Sequence, residues 1–142
     1  VTSPPLKNVN IPKALRDIRS FRKHRYRCFD GSYTCYVAEQ YCERLGGHLV
    51  SIDDSDEQVF VQRLLLSQPM PAEWYWIDGS DEGVEGVWRK GDGGKFDFAN
   101  WANGQPQNIW PGEHGLVVHT RDMCRWHDAH SGMRLGFVCE WE

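Results

Sequence analysis

From Trp101 to Glu140 the chain reads W-A-N-G-Q-P-Q-N-I-W-P-G-E-H-G-L-V-V, then R-W-H-D-A-H, then L-G-F-V-C-E. Asn, Gly, Pro and acidic residues lead into short apolar runs, the last of which carries a cysteine. Irregular segments longer than about 12–15 residues are usually functional. The stretch therefore predicts a binding loop displayed on a small cross-linked scaffold.

A chain of 142 residues is about one domain and long enough for a real core. With 40% apolar and 13% aromatic residues it is not a disordered sequence. No apolar run approaches the roughly 18 residues that span a bilayer, and the first residues, V-T-S-P-P-L-K, do not read as a secretion signal. The net charge of −4 hides an asymmetry. Residues 1–27 hold eight of the 16 Lys and Arg against one acid, Asp17, a net +7 that leaves −11 on the remainder. Such an arm suits a polyanion, or a solvated extension or subunit contact. Five cysteines (Cys28, Cys35, Cys42, Cys124 and Cys139) favour an oxidising compartment, so a secreted or cell-surface location is expected. No Cys-x-x-Cys pair is present, which argues against a zinc ribbon. The odd count leaves one thiol free or paired between chains.

Along the chain, the period of Leu15, Ile18 and Phe21 after Pro12 suggests a short basic helix. The main domain is expected over residues 26–142, after a basic extension over 1–25. Ala38, Tyr41, Cys42 and Leu45 share a helical face that Gly46-Gly47 terminates. Residues 48–52 read as a short strand. Asp54 and Glu57 open a second helix with Phe60, Val61, Leu64 and Leu65 on its buried stripe, and Pro69 and Pro71 stop it. Residues 74–77, 86–89, 96–100, 116–120, 125–127 and 135–140 read as short strands. Two helices followed by many strands indicate α+β.

The order of these signals resembles the C-type lectin-like domain over roughly residues 26–142. The motifs are Cys35-Tyr-Val-Ala38-Glu-Gln-Tyr-Cys42, G-G-H-L-V-S-I, D-E-Q-x-F-V, Trp76-Ile77-Asp78-Gly79, Asn100-Trp101 with Gly104-Gln105-Pro106, Trp126-His127-Asp128, and Gly136-Phe137-Val138-Cys139-Glu140. The resemblance implies a Cys42–Cys139 bridge and a long calcium-binding loop. The family's second bridge has no cysteines here, its positions falling on Gly115 and about Ser131. For the remaining cysteines Cys28–Cys35 with Cys124 free, or Cys35–Cys124, are both open.

The resemblance also places two ion sites. Calcium takes about 6–8 hard oxygen ligands. At the auxiliary site Asp81, Glu85, Asn108 and Glu113 match the family's spacing, which predicts one calcium there; solvated loop acids are the bland alternative. At the sugar-binding site Gln105, Gln107, Glu113, His127 and Asp128 are the candidates. Gln105-Pro106-Gln107 is neither the Glu-Pro-Asn nor the Gln-Pro-Asp of sugar-binding relatives, and His127 stands in for an asparagine. These side chains carry −2, one charge less than the usual sets, which weakens calcium binding. Trp110, in mid-loop, is a candidate for stacking on a sugar or for packing the loop. His114, His119, His127 and His130 gather in the same region without the spacing of a known zinc motif. No nucleophile elbow, phosphate loop or Cys/His dyad of recognised spacing occurs, so an enzyme is not expected. The resulting expectation is an extracellular recognition module that binds a glycan through a calcium-supported loop. The alternative is a module that recognises a cell-surface protein, or a polyanion through the basic arm.

Overall fold

The computed structural model describes residues 18–109 and 112–142. In chain order the elements are β1 (Arg19–Phe21), β2 (His24–Tyr33), α1 (Cys35–Arg44), β3 (His48–Leu49), α2 (Ser55–Leu66), β4 (Trp74–Ser80), β5 (Gly115–His119), a 3-10 turn (Thr120–Asp122), β6 (Arg125–Ala129) and β7 (Leu135–Trp141). The strands form one sheet in the order β1-β2-β7-β4-β5-β6, with β3 also on β7. The fold class is α+β, as expected.

Both helices follow from local chemistry. The Thr34 hydroxyl caps α1 by accepting the Val37 N–H. Ala38 and Cys42 form its fully buried face. Gly46, at φ +86°, ends it. At Gly47 an added Cβ would lie 2.5 Å from the Glu140 carbonyl oxygen, so this chain segment approaches β7 as only glycine allows. Asp54 caps α2 by accepting the Glu57 N–H at 2.9 Å. Val61, Leu64 and Leu65 are buried and Phe60 partly so.

Alternation along the strands assigns the core to two sides of the sheet. Tyr75, Ile77, Leu116, Val118 and Val138 pack with Val61, Leu64 and Leu65 of α2. The residues between them, Trp76, Val117, Phe137 and Cys139, pack with Ala38 and Cys42 of α1. Gln58 of α2 ties the first layer to β6. It accepts the Trp126 indole N–H and donates to the Cys124 carbonyl, both at 2.9 Å.

Cys42 and Cys139 are joined, closing a loop of 97 residues between α1 and β7. A bridge over that span is worth about 4–5 kcal/mol in the chain-entropy account. Neither Cys28–Cys35 nor Cys35–Cys124 forms. Cys28 and Cys124 lie buried in the α2-side core and Cys35 in the α1-side core. Burial pushes the Cys124 thiol up to about 12, so it stays protonated and unreactive.

Three expectations are corrected. Residues 19–21 form β1 rather than part of a helix, because Arg22 and Lys23, both at positive φ, make a two-residue hairpin into β2. Residues 1–17 of the basic arm lie outside the described residues. Gly86–Arg89 and Phe96–Asn100 are not strands; Arg89 makes isolated bridges to Ser80 and Lys95. Phe96, Phe98 and Trp101 instead meet Trp126 edge-on at 5.7–5.9 Å between ring centroids. Strand β2 was not anticipated at all.

Asp78 sits on β4, its carboxylate accepting the Gly91 N–H at 2.9 and 3.1 Å. Burial pushes its carboxyl up to about 6, against the pull of that bond and of His48. The native state therefore holds a proton that the unfolded chain releases first. Stability is expected to fall as pH rises from about 4 to about 6. Replacing Asp78 by Asn should flatten that slope, as read from denaturant melts across the range.

Candidate functional site

The segment between β4 and β5 leaves the sheet at Asp81 and returns at His114. Asp81 is only 3% exposed. Its Oδ2 accepts the Gly86 N–H at 2.9 Å, and its Oδ1 lies 2.9 Å from His114 Nδ1. Glu85 Oε2 is 3.7 Å from the same nitrogen. The Asp81 bond raises the His114 pKa. For Asp81, burial pushes the carboxyl up, but the Gly86 N–H, His114 and Glu85 outweigh it and leave it below the usual range. Asp81 and Glu85 thus lie together, and the third group beside them is the His114 imidazole.

Glu113 faces elsewhere. Successive side chains of an extended segment point to opposite sides, so Glu113 lines a neighbouring cleft while His114 meets Asp81. Asn108, at φ +48°, gives its backbone N–H to Asp128. His114 had appeared in the sequence only as one of four loop histidines. Its adjacency to Glu113 at a strand entry was the signal that it would face the other way.

The neighbouring cleft has a volume of about 490 Å³ and gathers Gln105, Gln107, Glu113, His127 and Asp128 beside Trp74. Three local features shape it. Backbone bonds from Ala102 N to Trp126 O (2.9 Å) and from Trp126 N to Asn100 O (2.8 Å) anchor the start of the loop to β6. The Gln105–Pro106 peptide is cis. Asp128, 8% exposed, accepts the N–H groups of Gln107 at 3.0 Å and Asn108 at 2.6 Å, so one carboxylate clasps the loop.

The wall opposite is aromatic. Trp74 stacks on His119 at 3.9 Å and meets His127 edge-on at 4.9 Å. Burial, with some repulsion from His119, lowers the His127 pKa, so its ring is neutral near pH 7. Gln105 Oε1 and His127 Nε2 are buried without a hydrogen-bond partner among the described residues. An amide oxygen and an imidazole nitrogen kept dry in this way are suited to a ligand that supplies the missing partner. At the family's second-bridge positions, Trp76 packs within 2.5 Å of where a Gly115 Cβ would lie. The Ser131 N–H bonds the Gly112 carbonyl at 3.2 Å. Trp110 lies outside the described residues.

The Lectin C-type domain family matches residues 31–141. Ladderlectin of Oncorhynchus mykiss is 34% identical over 75% of this chain and 57% of its own length. The galactose-specific lectin nattectin of Thalassophryne nattereri is 33% identical over 85% of this chain and 77% of its own length. The chain thus spans little more than half of ladderlectin. Human lithostathine superposes with a TM-score of 0.83 at 22% identity, over 99% of this chain and 96% of that one, a likeness of fold. The carbohydrate-recognition domain of cow CD23, determined in the presence of an oligosaccharide, gives 0.77 at 30% identity, over 92% and 94%.

Removing the clasp is expected to free the loop. In Asp128→Ala, the Gln107 and Asn108 amides should exchange with solvent at least about tenfold faster, consistent with the roughly 1.5–3 kcal/mol of a charged hydrogen bond. Unchanged protection would show that other contacts hold residues 104–109.

Proposed function

This chain belongs to the C-type lectin domain family, and on that premise we propose that it binds carbohydrate hydroxyls at the Gln105–Asp128 cleft with the help of calcium. The family and its fold are non-catalytic recognition modules, so the site is read as a binding surface. The observation that carries the proposal is the convergence of four oxygen-bearing side chains, Gln105, Gln107, Glu113 and Asp128, on one cleft beside Trp74. The buried, unbonded Gln105 oxygen fits a cation or hydroxyl that has yet to arrive.

The donor set fits a calcium ion, weakly. Glu113 and Asp128 supply two negative charges and the glutamines two neutral oxygens. A bound calcium would offer its remaining coordination positions to a pair of sugar hydroxyls. His127 contributes nitrogen, which hard cations favour less. Affinity near the weak end of extracellular calcium modules, about 10⁻⁴–10⁻³ M, is expected. Trp74 presents an apolar face against which a sugar ring can stack. At the auxiliary site, Asp81 and Glu85 are the calcium ligands carried over from the family, and His114 already bonds one of them. Calcium there competes with an internal imidazole. Asn108 and Glu113 complete the proposed set through loop adjustment.

A glycan fits an extracellular setting, as does the cystine. No helix among the described residues is long and apolar enough to cross a membrane. The name of nattectin makes galactose-type glycans the first to probe. A second reading, recognition of a protein or polyanion, is favoured by the departures at Gln107 and His127 and by the basic arm. Part of that arm is already engaged, since Arg22 pairs with Asp54 and Asp56. A polyanion surface would draw on Lys7, Lys13 and Arg16 together with Arg19 and Lys23, the last two exposed.

A glycan array run in calcium and again in EDTA tests the choice. The proposal predicts signal in calcium that EDTA and Gln105→Ala each abolish, together with slower proteolysis of residues 79–86 and 104–115 when calcium is added. Absence of any EDTA-sensitive signal overturns it. Heparin retention lost when residues 1–17 are deleted and Arg19 and Lys23 are replaced by Gln would then assign the module to a polyanion through the basic arm of residues 1–27.

A further inference from the structure

Remote from the long loop in sequence, three neighbouring strands bring a second group of metal-binding side chains together. Glu140 of β7 pairs across with Tyr26 of β2 on one side and His48 of β3 on the other. Directly opposed residues share a sheet face, as do residues two apart on one strand. His24, Glu140, Glu142 and His48 therefore emerge on the same face. His24, Glu140 and Glu142 each offer a ligand atom, all within 4.8 Å of one another. His24 Nδ1 lies 2.5 Å from Glu140 Oε2, and His48 Nε2 lies 3.1 Å from Glu142 Oε1.

The surrounding contacts orient these groups. His48 Nδ1 is 2.7 Å from the Leu49 carbonyl, which can only accept, so Nδ1 carries the proton. Nε2 and the Glu142 carboxylate hold one proton between them in the metal-free chain, and a cation entering there would take its place. Glu140 is buried, its other oxygen fixed by the Ser51 N–H at 3.0 Å. A backbone carbonyl fixing the tautomer and a backbone amide fixing the carboxylate are the outer-shell arrangement that supports metal ligation.

We propose that His24, His48, Glu140 and Glu142 form a site for a borderline divalent cation of the zinc class, distinct from the sugar cleft. Two imidazoles and two carboxylates suit four-coordinate zinc, whereas calcium demands about 6–8 oxygens. Zinc–ligand bonds of about 2.0–2.1 Å put neighbouring ligand atoms roughly 3.3 Å apart. The His48–Glu142 separation already matches, but His48 is not among the three side chains whose ligand atoms lie within 4.8 Å of one another, so its ring has to swing toward His24 and Glu140. The His24–Glu140 contact has to open by somewhat under about 1 Å. His24 has room to do so, being 40% exposed and next to the Arg22-Lys23 turn. The ion would clamp β2, β3 and β7 together beside the Cys42–Cys139 bridge.

Zinc titration of the full chain by calorimetry, in buffer with excess calcium, tests this independently of any sugar binding. His24→Gln and Glu142→Gln alter partly exposed side chains, and their fold is checked by circular dichroism. Each is expected to weaken one equivalent of zinc by about tenfold or more and to abolish the zinc-induced rise in melting temperature. Glu85→Gln should retain that equivalent, which separates this site from the Asp81–Glu85–His114 group. Cobalt substituted for zinc should give the intense visible bands of a tetrahedral site. No zinc binding by the wild type, wild-type zinc affinity in both His24→Gln and Glu142→Gln, or loss only in Glu85→Gln overturns the proposal.

Discussion

The rest of the architecture depends on how β7 is held. It pairs antiparallel with β2 along one edge. The other edge is shared between β4, parallel at Gly136–Phe137, and β3, at Cys139–Glu140. Cys139 on that strand is bonded to Cys42 of α1, so the helix, the strand and the two ends of the domain form one unit. Phe137 and Cys139 fill one side of the sheet and Val138 the other. A strand buried on both faces and bonded at both edges leaves little freedom to the elements around it. That rigidity lets β4, β5 and β6 hold a long irregular segment in a fixed place.

The segment itself is secured by polar contacts rather than by a second cystine. Asp128 clasps the Gln107 and Asn108 amides, Asp81 holds the Gly86 amide and His114, and Ser131 bonds Gly112. Charged hydrogen bonds of this type contribute about 1.5–3 kcal/mol each, less than a bridge closing a long loop. Such a loop is fixed enough to present Gln105 and Glu113 beside Trp74, yet can still adjust to a ligand. Binding without bond-making chemistry asks no more of it.

The sequence disclosed whatever depends on local chemistry. Asp54 marked a helix start, Gly46 a stop, and the apolar runs before Thr120 and Trp141 the central strands. The ordered motifs disclosed the family and the Cys42–Cys139 bond. Features set by tertiary contact stayed hidden. Strand β2 alternates Arg, His and Asp with its buried residues and carries Gly31, so its pattern resembled a charged arm. Phe96, Phe98 and Trp101 looked like strand residues because aromatics favour strands, but Trp126 recruits them as a collar. The sequence placed Glu113 among the ligands at both sites, whereas the turn into β5 directs it to the cleft and leaves His114 with Asp81. The pairing of His48 with Glu142 is invisible until β3 lies against β7.

The central claim is that ligand enters the cleft between Gln105, Glu113 and Asp128. Nitrogen-15 correlated NMR of the full chain, titrated first with calcium and then with a galactose-type monosaccharide, tests it most directly. The account predicts that sugar shifts the Gln107 and Asn108 amides and the Trp74 indole, and only after calcium has been added. Shifts confined to other faces of the domain, or none with either addition, would contradict it.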